Sequence, residues 1–95
     1  MTDHEPVPVD DWARVRRELA AWCGDRGEFR EEEREGVEAA TCDFGGSTRF
    51  TVTREGRVEG GMPLHEFEGC AEALAFDDDA VRVRTGDGEY VYRRP

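Results

Sequence analysis

Apolar residues recur at helical spacing near the start of the chain. Four of them are separated by three, four and three residues: Trp12, Val15, Leu19 and Trp22. This spacing predicts an amphipathic α-helix with one buried stripe. Asp10 or Asp11 supplies an N-cap acceptor and a negative charge at its start, and Gly24 is suited to end it. Because two tryptophans bury a large area, we interpret the stripe as core and not as a ligand-binding aromatic box.

From Val37 onward, apolar and polar residues alternate with a period of two, which predicts β-strands. Strands are expected at 37–44, 47–55 and 57–60, with turns at Gly45-Gly46 and Glu55-Gly56. In the second strand we expect two faces, one with Phe50 and Val52 and the other with Arg49, Thr51 and Thr53. Short glycine turns between such runs favour hairpins, so the three strands should form an antiparallel meander.

The alternation returns in the last quarter of the chain. Strands are predicted at 72–76, 80–85 and 89–94, with polar turns at 77–79 and 86–88. The expected inward residues are Val81 and Val83, the expected outward residues are Arg82 and Arg84, and Tyr90 and Tyr92 should share one face. Residues 72–76 also fit a helical turn, and we favour the strand.

Two segments interrupt these patterns. Residues 28–36, "EFREEEREG", have Phe29 as their one apolar side chain. Their Arg–Glu and Glu–Glu neighbours would roughly cancel in a helix, so we expect a solvated linker or a frayed helical extension. Residues 60–71, "GGMPLHEFEGCA", mix glycine and proline with apolar residues. We expect an apolar loop there, with a short helix over 64–68 as the alternative.

These elements predict an α+β fold in which the N-terminal helix packs on an antiparallel β-meander of five to six strands. A chain of 95 residues has room for one core, so we expect a single domain over residues 10–95. Residues 1–9 are polar and contain Pro6 and Pro8, which indicates a flexible arm. A sheet about 20–25 Å wide is broader than one helix can cover. The apolar loop, curling of the sheet or a second copy in a homodimer should cover the remainder.

Composition changes the expected environment. Charged residues make up 38% of the chain and apolar residues 37%, so the apolar residues must fall on inward faces for the chain to fold. The net charge is −10, the acids are spread along the whole length, and every base is Arg. Dense carboxylates keep a protein hydrated in very high salt, where the screening length is about 3 Å or less. We favour this interpretation over a nucleic-acid mimic or a binder of a basic partner.

The Lys-free, Arg-only composition extends over the full chain, and the later half contains "RFTVTREGRVEGGMPLHEF" and "VRVRTGDGEYVYRRP". In these features the chain resembles small uncharacterised haloarchaeal acidic proteins. The resemblance implies a cytoplasmic protein adapted to salt. It implies no activity, cofactor or residue role.

The cysteines are odd in number and widely spaced: Cys23, Cys42 and Cys70. This pattern is typical neither of a disulfide framework nor of a metal clip, so we expect three small buried apolar residues. We expect no metal site with His4 or His65, because neither CxxC nor HxxxH spacing occurs. The glycine pairs match no phosphate-binding motif, so no cofactor is expected.

The chain has no apolar run near the roughly 20 residues that a membrane span needs. Its first residues, "MTDHEPVPVDD", lack the basic start and apolar core of a signal peptide. We therefore expect a cytoplasmic protein without a membrane partner.

No residue set has the complementary roles that catalysis requires, so we predict no catalytic residue. The candidate partner-binding residues lie in the apolar segment: Met62, Leu64, His65 and Phe67. The function we predict is a non-catalytic protein-interaction or regulatory module, acting as a homodimer or with another protein. The alternative is a small-ligand-binding protein or enzyme with a pocket near His65, and with Tyr90 or Tyr92 at its mouth.

A third hypothesis is nucleic-acid association through outward arginines, namely Arg49, Arg82 and Arg84. We disfavour it because such arginines more often pair across strands with acids, here Glu38, Glu59 or Glu89. The sequence also contains no basic stripe with interleaved aromatic residues.

Overall fold

The structure is a computed structural model that describes residues 5–62 and 65–94, without the side chain of His65. Over these ranges the chain forms one helix, α1 (Trp12–Cys23), and nine strands. The strands are β1 (Val7–Pro8), β2 (Glu28–Arg34), β3 (Val37–Gly45), β4 (Thr48–Thr53), β5 (Arg57–Met62), β6 (His65–Cys70), β7 (Ala73–Phe76), β8 (Ala80–Thr85) and β9 (Gly88–Arg93).

The strands belong to two antiparallel sheets. One sheet has five strands in the order β2-β3-β4-β5-β6, and the other has four in the order β1-β7-β8-β9. The fold is therefore α+β with one helix, as expected, but it is richer in strand. The prediction of one meander of five to six strands is corrected to two sheets, because β6 and β7 are separated by a short crossing at residues 71 and 72.

Helix α1 has the buried stripe that its apolar spacing predicts. Trp12, Val15, Leu19 and Trp22 are all buried. The N-cap residue is Asp11, which makes no side-chain capping bond, and the helix ends at Gly24, whose φ is 56°. A left-handed φ at this position suits glycine, so the predicted end of the helix is confirmed.

The core lies where α1 meets the inward faces of both sheets. α1 contacts β2 and β3 of the five-stranded sheet and β1 and β7 of the four-stranded sheet. The ring of Trp22 lies within 5.8 to 6.4 Å of four aromatic rings, those of Phe44, Phe50, Phe76 and Tyr92. Because these rings come from both sheets, Trp22 lies between the two sheets and contacts each of them.

The acidic segment 28–36 is a strand and turn, so the predicted linker or helical extension is wrong. β2 pairs with β3 along its whole length, from Glu28 opposite Asp43 to Arg34 opposite Val37. The turn residues Glu35 and Gly36 have φ of 52° and 82°, as a two-residue hairpin with the twist of its strands requires. Backbone pairing, and not an apolar face, forms this element. Its charges also protect the sheet edge from adding another strand.

Residues 60–71 form the end of β5 and all of β6, so the predicted apolar loop is wrong. Gly60 and Gly61 continue the strand because close neighbours leave no room for a side chain. A Cβ on Gly60 would lie 2.8 Å from Cδ2 of Tyr92, and one on Gly61 would lie 2.5 Å from the carbonyl oxygen of Ser47. These glycines are packing residues within the strand, not chain breakers. The alternative short helix over 64–68 is wrong for residues 65–68, and residue 64 lies outside the described residues.

The four-stranded sheet follows the predicted faces. Segments 72–76 and 80–85 contain β7 and β8, so the strand assignment of the first segment is confirmed. The predicted strand over 89–94 overlaps β9, which begins one residue earlier, at Gly88. Val81 and Val83 are buried while Arg82 and Arg84 are exposed. The prediction of a flexible arm over residues 1–9 is wrong for Val7 and Pro8, which form β1 against β7. Val7 is 2% exposed. Residues 1–4 lie outside the described part.

The cysteines differ from the expectation of three buried thiols. Cys23 and Cys42 form a disulfide that joins the end of α1 to β3, and Cys70 is free and exposed. The stripe on α1 and the inward face of β3 bring the two sulfur atoms together, although 19 residues separate them in sequence. Sequence spacing alone did not show this contact.

The two sheets also alter the argument for a homodimer. The four-stranded sheet and α1 together cover the inward face of the five-stranded sheet, through residues such as Tyr92 and Phe50, whose ring centroids are 5.2 Å apart. A second copy is therefore not needed to cover that face. Dimerisation itself stays a prediction.

Removal of the disulfide tests how much it contributes to the stability of the fold. Replacing Cys23 and Cys42 together by Ala should lower the free energy of unfolding by about 3 kcal/mol, because a cross-link of this loop length restricts the unfolded chain. Urea unfolding followed by tryptophan fluorescence measures the change. The control Cys70→Ser should stay within about 0.5 kcal/mol of the wild type. Equal stability of wild type and double variant, with and without reductant, would contradict the assignment.

The close approach at Gly60 gives a second test. Gly60→Ala should lower the free energy of unfolding by about 1–3 kcal/mol, because the added methyl group meets the ring of Tyr92. Gly86→Ala is the matched control, since its Cβ would lie at an ordinary 3.8 Å from Glu72. Thermal unfolding of both variants measures the difference. Equal midpoints would show that Tyr92 of β9 leaves room for a methyl group at Gly60 of β5.

Candidate functional site

The outward face of the five-stranded sheet carries many charged side chains. Because side chains alternate between the two faces of a strand, the register of the five strands shows which side chains lie on this face, away from α1. Its charged members are Glu28, Arg30, Glu32, Arg34, Asp43, Arg49, Arg57, Glu59, Glu66 and Glu68. Acids and bases are interspersed on it, and most of its charges have an oppositely charged group within 4 Å.

Ion pairs connect the strands of this face. Arg30 contacts Asp43 at 2.9 Å, and Arg57 contacts Glu68 at 2.7 Å. Arg34 of β2 contacts Glu59 of β5 at 3.2 Å, across the two strands between them. In a flat sheet those strands would lie about 14 Å apart. The long side chains of Arg34 and Glu59 therefore reach towards each other over β3 and β4.

A pair of threonines lies in the middle of this face. Thr41 and Thr51 are 1% and 2% exposed, and their Oγ1 atoms are 2.9 Å apart in a hydrogen bond. Polar side chains that are this buried require hydrogen-bond partners, which each provides for the other. Both faces of β4 are therefore covered at the middle of the strand, by the core on the Phe50–Val52 side and by neighbouring side chains on the Thr51 side.

A groove of about 360 Å³ lies beside these threonines, over β4, β5 and β6. We call it the β4–β6 groove, and its lining residues are Arg34, Ser47, Arg49, Glu59, Gly60, Gly61, Glu66, Phe67 and Glu68. Gly61 lies at its centre, between Arg49 on β4 and Glu66 on β6 in one cross-strand row. The carbonyl oxygen of Ser47 lies over Gly61, so backbone and not a side chain separates the two charged residues.

Arg49 and Glu66 differ from the other charges of the face. Across residues 5–62 and 65–94, neither side chain has an oppositely charged group within 4 Å, whereas every other charged residue of the face has one. Asp43, which lies opposite Arg49, already binds Arg30. Its pKa is lowered by the backbone N–H of Gly45, by Arg30 and, more weakly, by the charge of Arg49.

The wall behind the groove is closely packed. Phe67 stacks on Tyr90 with ring centroids 3.9 Å apart and an interplanar angle of 6°. Tyr92 is fully buried, and its hydroxyl donates a hydrogen bond of 2.9 Å to the carbonyl oxygen of Gly61. Burial raises the pKa of Tyr92 to about 12 and also raises the pKa of Tyr90. The backbone at the groove centre is thus held from the core side.

The four predicted partner-binding residues have different positions. Met62 is half-buried and packs against the core, as does Phe67, which also lines the groove. His65 belongs to β6 and pairs with Met62 through its backbone, but its side chain is not described. Leu64 lies outside the described residues. Where they are described, these apolar side chains stabilise the fold from the inward side.

The residues proposed for nucleic-acid association lie on two different sheets, and those proposed for a pocket near His65 differ in burial. Arg49 lies on the outward face of the five-stranded sheet, whereas Arg82 and Arg84 lie on the four-stranded sheet. Both of the latter contact Glu89, at 3.5 and 3.8 Å. Tyr92 is too deeply buried to stand at the mouth of a pocket near His65. The structure therefore does not assemble the basic strip. Of the two tyrosines, Tyr90 is the one that lies against β6, where it stacks on Phe67.

The groove can bind charged groups, but its described residues do not form an activated nucleophile. Ser47 supplies a hydroxyl, and no hydrogen bond links its Oγ to another described residue. A serine nucleophile requires an adjacent base. Across the described residues, no three His, Cys, Asp or Glu side chains are grouped so as to hold a metal ion. The groups exposed in the groove are charged side chains, a hydroxyl and backbone atoms, which can form ion pairs and hydrogen bonds.

Sequence reasoning missed the opposition of Arg49 and Glu66. The signal was present in part, because both are charged residues on outward positions of strands. The pairing of β5 with β6, which sets them in one row with Gly61, was hidden by the interpretation of residues 60–71 as a loop.

The hydroxyl of Tyr92 provides a pH test of the wall. Its raised pKa means that its contribution to stability is fully present below its unfolded-state pKa of about 10. This contribution is lost as the pH rises towards 12. Tyr92→Phe should lower stability at neutral pH by about 1 kcal/mol, through the lost hydrogen bond. It should also weaken the fall in stability between about pH 10 and 12, with Tyr90 accounting for what remains. Urea unfolding across this range checks both effects, and an unchanged pH profile would contradict the burial of this hydroxyl.

Comparisons with known proteins add no relative to this picture. The chain matches no protein-family model, no curated protein and no solved structure. Within the described ranges, no helix has the length and apolar character needed to cross a membrane. The function of the chain is therefore inferred from the geometry of the β4–β6 groove.

Proposed function

We propose that this chain is a non-catalytic interaction or regulatory module whose working surface is the β4–β6 groove. One observation carries the proposal: on a face where the other charges are paired, Arg49 and Glu66 stand opposite each other with their charges available. Charges left free on a rigid surface are suited to recognising a partner, because they set the orientation and the register of the complex.

The fold supports this proposal by holding the groove in a fixed shape. β5, at its centre, pairs with β4 and β6, and Tyr92 binds the carbonyl of Gly61 from the core side. A preorganised surface loses little conformational freedom on binding. β6 has a strand neighbour on one side only, so the groove is bordered by a sheet edge where an extended segment of a partner can lie.

A small-ligand-binding protein or enzyme using a pocket near His65 is the weaker proposal. It needs an acid–base or nucleophilic pair, and Ser47 has no base among the described residues around it. Nucleic-acid association is weaker still, because Arg82 and Arg84 are engaged with Glu89 and lie on a different sheet from Arg49.

The proposed habitat is high salt, with a cytoplasmic location. The net charge of −10 supports the first part, since such a surface stays hydrated when charges are screened. The Cys23–Cys42 disulfide weighs against the cytoplasmic location, because stable disulfides are typical of oxidising compartments. Measurements on the module therefore need both salt and redox conditions to be stated.

Selection from a random peptide library tests the proposed working surface. Immobilised wild-type protein should enrich a family of related peptides, and the variant Arg49→Gln/Glu66→Gln should not enrich that family. Both side chains are exposed, so this variant should keep its stability within about 0.5 kcal/mol. Arg14→Gln/Glu18→Gln, on α1 and away from the groove, is the matched control and should enrich the same family as the wild type. No enrichment, or equal enrichment by the groove variant, would lead us to abandon the proposal.

A further inference from the structure

Resting on the proposed function, we infer that the open edge of β6 binds an extended segment of a partner protein in which two basic residues flank an apolar one. The bound segment becomes a sixth strand of the five-stranded sheet, beside the β4–β6 groove. Strand addition of this kind takes its affinity from main-chain hydrogen bonds and its specificity from alternate side chains. Two features of β6 carry the inference, namely the direction of its unpaired backbone groups and the side chains on its two faces.

The register of β5 and β6 shows which backbone groups of β6 are unpaired. Ala71 donates a backbone hydrogen bond of 2.7 Å to the carbonyl oxygen of Gly56, the residue that continues the β5–β6 register opposite it. In an antiparallel pair, residues that exchange such bonds alternate with residues that do not. Counted back from Ala71, Phe67 belongs to the bonded residues, whereas the N–H and carbonyl groups of Glu66 and Glu68 point away from β5. Among the described strands none lies on that side of β6, so a new strand can pair with these groups.

The two faces of β6 differ in character. Glu66 and Glu68 are exposed on the outward face, where they line the groove. Phe67 points to the other face and stacks on Tyr90, and both rings are half-buried. Residues directly opposite each other in an antiparallel pair share a face. A partner strand would therefore place two residues beside the carboxylates and the residue between them beside the stacked rings.

The carboxylates favour basic residues at the two outward positions. Over the described ranges, Glu66 has no positively charged group within 4 Å. Arg57 contacts Oε2 of Glu68 at 2.7 Å, and Oε1 of the same carboxylate has no ion pair in those ranges. The net charge of −10 also attracts a basic segment from a distance, and this attraction weakens as salt is added.

The same charges distinguish β6 from other uses of a sheet edge. A second copy of β6 in antiparallel pairing would bring glutamates close to glutamates, and like charges directly opposite destabilise a sheet. At the other edge of this sheet, β2 has charged side chains on both faces apart from Phe29, so a strand added there would bury little apolar surface. A basic and apolar partner segment therefore fits β6 better than a second copy, and fits β6 better than β2.

Peptide binding and amide exchange test the inference. The probe is a peptide with blocked termini and the sequence Thr-Arg-Val-Arg-Thr. Its controls are Thr-Glu-Val-Glu-Thr, which reverses the charges, and Thr-Arg-Arg-Val-Thr, which keeps the composition and loses the alternation. NMR titrations measure each affinity, and water-exchange NMR at saturating peptide measures how fast the backbone amides of β6 exchange. Both are run at the lowest potassium chloride concentration at which circular dichroism shows the folded protein.

We expect the alternating basic peptide to bind more tightly than both controls and to slow amide exchange at Glu66 and Glu68. Phe67 is the internal reference, because its amide is already bonded to β5 and should change less. Glu66→Gln should weaken binding of the basic peptide about two- to fivefold, the size of an exposed ion pair. Glu66→Lys should weaken it further and should improve binding of the acidic peptide.

Glu68→Pro separates strand addition from simple charge attraction. Proline is tolerated on an edge strand where the N–H would face solvent, and it removes a donor that a new strand needs. This variant should lose the alternating peptide, whereas Glu68→Gln, which keeps the N–H, should bind it within about fivefold of the wild type. Circular dichroism checks that the proline variant folds. If it does not fold, the amide exchange of the wild type with bound peptide decides between the two explanations.

The outcomes also separate the inference from the proposed function. Equal binding of the basic and acidic peptides, or unchanged amide exchange at Glu66 and Glu68 with peptide bound, would show the inference to be wrong. Slow exchange of these amides without peptide, increasing with protein concentration, would assign the edge to a second copy and overturn it as well. Library peptides whose enrichment depends on Arg49 and Glu66 would in each case still support the groove as an interaction surface.

Discussion

Burial of the tryptophan stripe of α1 between two sheets is the interaction on which the rest of the structure depends. Trp22 contacts aromatic rings of both sheets, and the Cys23–Cys42 bond ties the end of the helix to β3. Without the helix, the inward faces of β3 and β7 would lose their neighbour and meet water. A domain of this size has little stability to spare, so one well-packed helix and one cross-link decide whether both sheets form.

The same packing shapes the outward surface. Because Tyr92 occupies the space that a side chain on Gly60 would need, β5 lies close to β9 and its backbone cannot shift. On the other side of β5, Gly61 lies between Arg49 and Glu66 and against the carbonyl oxygen of Ser47. The core and the groove therefore depend on two consecutive glycines, one packed against Tyr92 and the other against the backbone of Ser47. The proposed recognition at the groove and the stability of the fold therefore involve the same strand.

Charge has several roles in this chain, and the structure separates them. On β2 the acids pair with Arg16, Arg30 and Arg34 and protect a sheet edge from unwanted pairing. Near the start of α1, Glu38 accepts a hydrogen bond from Trp12 Nε1 and contacts Arg54, and these contacts lower its pKa. Only in the β4–β6 groove, among the described parts of the outward face, are opposite charges held apart. A net charge of −10 would not by itself have distinguished these roles.

The sequence determined the elements whose signal is local. The stripe on α1, the alternation in β8 and the glycine turn after β3 follow from periodicity and backbone conformation, and each is present in the structure. Tertiary structure decided β2 and β6, because an edge strand with few apolar residues forms only when a neighbouring strand offers its backbone. It also decided the disulfide and the opposition of Arg49 to Glu66. Both are contacts between residues distant in sequence, and the order of strands in a sheet sets such contacts in a way that no local pattern encodes.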